Sequence, residues 1–139
     1  MNRPKARGTA AETAVLRYVQ QNGWPNAYRK TLSGSKDGGD IQLDQHTIIE
    51  VKNVADASTG QPSAAMLNGW LAETQAEVVN SGSRWGLLVV KRKGKSSPAD
   101  WFCYAPIGTF VGLAHIEDPA WRFDMIACVR FGDVLWAMS

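Results

Sequence analysis

With 139 residues, 45% of them apolar and 20% charged, the chain is long enough for one domain with a real core and too apolar to be disordered. No apolar run approaches bilayer length, and the basic residues 1–9 have no hydrophobic segment behind them, which argues against a membrane span or secretory signal and for a cytoplasmic protein. The net charge is only +2, yet residues 1–95 hold 13 Lys/Arg against 8 Asp/Glu, while residues 96–139 hold 2 against 5. A basic first part suits a polyanion such as nucleic acid. Cys103 and Cys128 make no metal-binding spacing and read as buried free thiols in a reducing compartment.

Residues 1–8 read as a basic arm. Thr9-Ala10-Ala11-Glu12 has capping-box spacing and opens a helix whose apolar stripe is Ala14, Val15, Tyr18 and Val19, and Asn22-Gly23 ends it. A strand follows over 27–32, then a Gly/Ser-rich loop over 33–39, a second strand over 40–43, a tight turn at Asp44-Gln45 and a third strand over 46–52. After a polar segment comes a second helix over 64–80, closed by Ser81-Gly82. Residues 85–90 form an apolar strand central to a sheet, and the basic run 91–95 turns away from it. A strand over 101–104, a short helix over 107–113 and a terminal hairpin over 125–136, turning at Gly132-Asp133, complete the expectation. The pattern is α/β, a mixed sheet flanked by helices in one domain, with a core over 9–95 and a β-rich C-terminal extension over 96–139.

Within this pattern Asp40, Glu50 and Lys52 stand among residues that otherwise read as buried strand. Charges there are costly unless they pair or bind a metal. A hairpin with a short loop places Asp40 opposite Glu50, and Lys52, two residues on, shares that face. Two carboxylates without His or Cys suit a hard cation, Mg²⁺ or Mn²⁺, which binds a phosphate oxygen and acidifies a water. Lys52 is placed to orient that water or offset charge on phosphorus. The chemistry implied is metal-assisted phosphodiester hydrolysis. The plain alternative for Glu50 and Lys52 is a surface ion pair.

Gly39-Asp40, nine intervening residues and Glu50-Val51-Lys52 resemble the PD-(D/E)XK nuclease superfamily, with Gly39 in place of the proline. The helix, three-strand, helix, strand order looks like that superfamily's restriction-endonuclease-like core. Gly8-Thr9-Ala10-Ala11-Glu12 and the loop Ser33-Gly34-Ser35 are most similar to Holliday-junction resolvases of the archaeal and phage type, over about residues 5–95. The resemblance implies Asp40 and Glu50 as metal ligands, Glu12 as a further acid reaching the metal, and Lys52 as the catalytic lysine. It also suggests Gln75, on the second helix, as an assisting residue. Arg7, Arg29, Lys30, Lys36, Ser33, Ser35, Lys91 and Lys93 are candidates for DNA contact, with surface charge or turn chemistry as the plain alternative for each. The expected protein is a Mg²⁺-dependent, structure-specific endonuclease acting on branched DNA as a homodimer. A duplex-cutting repair or restriction nuclease and a non-catalytic DNA-binding module of the same fold are the alternatives. The segment after about Ser96 has no assigned counterpart.

Overall fold

The structure, a computed structural model, describes residues 3–30, 40–53, 61–116 and 125–139, with the side chains of 3–8 and of Asp40 outside the description. It is a mixed α/β arrangement, a six-stranded mixed sheet flanked by helices. The first helix, α1 (Arg3–Gln21), starts six residues before the expected cap. The expected arm is therefore helical backbone, and Thr9 and Glu12 lie inside the helix. Pro4 is compatible with this because a first-turn residue has no intrahelical N–H bond to lose. Ala11, Val15 and Val19, spaced by four, are its buried stripe.

The strands are β1 (Tyr28–Arg29), β2 (Asp40–Asp44), β3 (Thr47–Asn53), β4 (Trp85–Lys91), β5 (Phe102–Pro106) and β6 (Ile126–Arg130), in sheet order 1-2-3-4-5-6. Only the β3–β4 pair is parallel; every other neighbouring pair is antiparallel. The parallel pair needs a crossover, which α2 (Ala64–Ser81) supplies. Ser63 caps α2 by accepting from the Met66 N–H, and Gly82 closes it, as expected, with its N–H on the Val78 and Val79 carbonyls.

Alternation along the strands separates two cores. On one face Ile41, Ile49, Leu87, Val89 and Cys103 pack with Val15, Val19, Phe131 and Leu135. On the other, Leu88, Val90 and Tyr104 lie under Leu67, Trp70 and Leu71 of α2, so Trp70 is a packing residue.

The C-terminal part differs from the expected β-rich extension. After α3 (Ile107–Leu113) and β6, the chain forms a helix, α4 (Phe131–Met138), and no hairpin turns at Gly132-Asp133. Phe131, Val134 and Leu135 are buried at helical spacing, with Met138 packed against the same core, so burial outweighs the Gly-Asp turn signal. β5 and β6 continue the same sheet as β1–β4. Both cysteines are free, but only Cys103 is buried; Cys128 is exposed, which corrects the expectation of two buried thiols. They sit on neighbouring strands at positions of opposite parity, Cys103 opposite Val129 and Tyr104 opposite Cys128, and therefore face away from each other. No helix among the described residues is long and apolar enough to cross a membrane.

Gly86 fixes how closely α2 approaches the sheet. A Cβ there would lie 2.6 Å from Val78 Cγ2 and 3.0 Å from Thr74 Cγ2. β-branched side chains in a helix are stiff, so the helix itself has to move. We expect Gly86→Ala to lower the unfolding free energy by about 1–3 kcal/mol. The urea midpoint checks this, and an unchanged midpoint would contradict the packing argument.

Candidate active site

The β2–β3 hairpin pairs Asp40 with Glu50, Ile41 with Ile49 and Gln42 with Ile48, the register that a short turn implies. An irregularity between Gln42 and Asp44 leads to the turn, where Asp44 Oδ1 accepts from the His46 N–H at 2.8 Å. Glu50 and Lys52 share the face turned toward α2. In β4 their register partners are Leu88 and Val90, both fully buried, so the two charged side chains rise from an apolar floor.

Lys52 Nζ lies 3.4 Å from Glu50 Oε1 and 3.0 Å from Glu73 Oε2, the latter reaching down from α2. Burial pulls the pKa of Lys52 down. The hydrogen bond to Glu73 and the charges of Glu50 and Glu73 outweigh that pull, and its pKa stands above the ordinary lysine value. The stability these pairs contribute is therefore full below the ordinary lysine pKa and is lost as pH rises through the raised one. Asp40 has the register position directly across from Glu50; its side chain is outside the description. Among the described residues no three His, Cys, Asp or Glu side chains form a group able to hold a metal ion.

Glu12 stands apart from this pair in its contacts. It is buried on α1, which packs on the opposite face of the sheet, and its carboxylate is 3.6 Å from Arg29 Nε. Arg29 also donates to Thr13 Oγ1 at 2.7 Å, so this cation ties β1 to α1. Among the described residues, the carboxylates that act on Lys52 are Glu73 and Glu50.

Of the other candidates, Lys30 is half-buried after β1, Gln75 is exposed on α2, and Lys91 and Lys93 lie at and beyond the end of β4. Ser33, Ser35 and Lys36 fall outside the described residues, as does the Arg7 side chain, whose backbone is part of α1. Gln75 and Glu73 are two apart and sit on opposite flanks of the helix, roughly 160° from each other. The site-facing place expected for Gln75 is held by Glu73. Only the rotation of α2 about its axis distinguishes them, and Gly86 with the Trp70, Thr74 and Val78 contacts sets that rotation. His46 and His115 are both exposed, in keeping with surface roles.

No family model, curated protein or solved structure matches this chain.

Glu73 is the residue whose influence on Lys52 is most easily isolated. We expect the Lys52 pKa in Glu73→Gln to fall relative to the parent, because a charge and a charge-assisted acceptor are both removed. An NMR titration of the Lys52 side chain measures it; an unchanged value would contradict the 3.0 Å pairing.

Proposed function

We propose that the protein is a metal-dependent DNA endonuclease of the restriction-endonuclease-like kind, a resolvase of four-way junctions. The observation that carries this reading is the placement of Glu50 and Lys52 together on an apolar floor, with Asp40 directly opposite Glu50 in register. The order α1, β1, β2, β3, α2, β4 supports it further.

Asp40 and Glu50 offer hard oxygen donors from facing positions on adjacent strands, a set suited to Mg²⁺, with Mn²⁺ as a substitute. Glu12, carried by α1 on the opposite face of the sheet and in contact with Arg29, stands apart from this pair of donors. A divalent ion held there supplies Lewis acidity toward a phosphate oxygen and a more acidic water. The chain's own contribution is positional. Lys52 presents its ammonium to the phosphate or to the attacking water, while Glu73 and Glu50 hold that ammonium in place and charged. In hydrolysis the water oxygen bonds to phosphorus, one P–O ester bond breaks, and the departing oxygen takes up a proton.

A four-way junction needs two symmetric cuts, so the active assembly in this reading is a twofold homodimer. Trp136, 81% exposed on α4, is an apolar side chain of the kind a second copy covers.

Cleavage of a four-way junction, compared with a linear duplex of the same sequence, tests the reading with Mg²⁺ or Mn²⁺ present. We expect preferential junction cleavage, lost by more than ~10³-fold in Asp40→Asn, about 4 kcal/mol of transition-state stabilisation. Junction binding by that variant is expected to persist. Preferential cutting of the duplex at one sequence would replace the resolvase with a duplex nuclease. No cleavage by the parent protein would leave a DNA-binding module.

A further inference from the structure

The basic run after β4 is a built feature of the fold. β3 and β4 are parallel, with Lys52 opposite Val90 and Asn53 opposite Lys91. The chain thus leaves β4 at the same end of the sheet as Lys52, on the adjacent strand. Strand spacing and rise put the Lys52 and Lys91 backbones roughly 6 Å apart. Four cations occupy the five positions 91–95, and none makes an ion pair with another described residue. By contrast Arg29, Lys52 and Arg130 are each paired with a carboxylate.

The segment is also held rigidly. Lys95 N–H closes a turn on the Arg92 carbonyl at 3.1 Å, and Gly94 takes a left-handed φ of 79° that favours glycine. Trp101, only 2% exposed, donates its indole N–H to the Lys95 carbonyl at 2.7 Å. The Lys91 ammonium sits 5.8 Å from the Trp101 ring centroid, and the Arg92 guanidinium 5.2 Å from that of Phe102. The turn thus divides into an anchored half, Lys91 and Arg92, and an exposed half, Lys93 and Lys95.

A solvated loop needs neither a buried indole holding its backbone nor a concentration of unneutralised charge. We propose that this turn is a preordered clamp for the phosphate backbone of nucleic acid. Lys93 and Lys95 contact phosphates, and Lys91, Arg92 and Trp101 fix the turn beside the candidate site. Ordering the cations before binding lowers the entropy lost when they meet the strand. The clamp is independent of base sequence, as backbone contacts are. It rests on the nuclease reading for its substrate, DNA, but not for its binding chemistry.

The test measures four-way-junction binding in EDTA across a salt series, and cleavage in Mg²⁺ separately, for three proteins. These are the parent, Lys93→Gln/Lys95→Gln, and Arg17→Gln/Arg84→Gln, which makes the same charge change at exposed positions elsewhere. We expect Lys93→Gln/Lys95→Gln to bind roughly tenfold more weakly at 0.1 M salt, with the slope of log K against log salt reduced by about 1.8. The Arg17/Arg84 variant should stay within about twofold of the parent. Equal losses in the two variants, or no loss in either, would overturn the clamp while parent cleavage kept the nuclease reading intact. A parent that binds through Lys93 and Lys95 yet never cleaves would uphold the clamp and remove the hydrolysis.

Discussion

Lys52 is the group on which the rest of the structure depends. An ammonium on an apolar floor is tolerated only with partners, and among the described residues it has two, Glu50 on its own strand and Glu73 on the covering helix. Each partner ties the site to a different element of the fold. Glu50 is set by the pleat of β3, and Glu73 by the rotation of α2. The rotation in turn depends on the close approach of α2 to β4 at Gly86. A change in packing at Gly86, which meets Thr74 beside Glu73 as well as Val78, is therefore felt at the charged cluster.

The parallel β3–β4 pair gives the same end of the sheet two kinds of positive charge. Lys52 is half-buried and held by carboxylates, suited to a fixed position beside reacting atoms. Lys93 and Lys95 are exposed and unneutralised among the described residues, suited to a long polyanion. The contrast follows from address: a buried charge has to be paired, while a surface charge can wait for its partner. Trp101 ties the turn to the main core, since its ring is part of that core while its N–H holds the turn.

The strand hairpin was legible in the sequence because its side-chain period is two and its turn is short, which leaves one register that keeps Ile41, Ile49 and Val51 together. The C-terminal end of α2 was legible for a similarly local reason, Gly82 supplying the left-handed residue that a helix end favours. Glu73 was not legible. Glu73, Gln75 and Glu77 are alike as exposed helix residues until the helix is docked. At α1, capping-box spacing in Thr9–Glu12 competed with the continuing helical backbone before it, and the longer helix prevailed. At the C-terminus, Gly132-Asp133 carries a true turn signature, but Phe131, Val134 and Leu135 reach the core only if the segment is helical. Glu12, expected at the metal, is in ionic contact with Arg29, a pairing across α1 and β1 that sequence spacing does not reveal.

The most direct measurement of the central claim is the anomalous scattering of a crystal of the protein soaked in Mn²⁺. A peak is expected between the Asp40 and Glu50 carboxylates, with oxygen ligands at about 2.0–2.2 Å, the range for a small hard divalent ion. A saturating soak that places Mn²⁺ elsewhere, or leaves Lys52 as the sole cation beside Glu50, would contradict it.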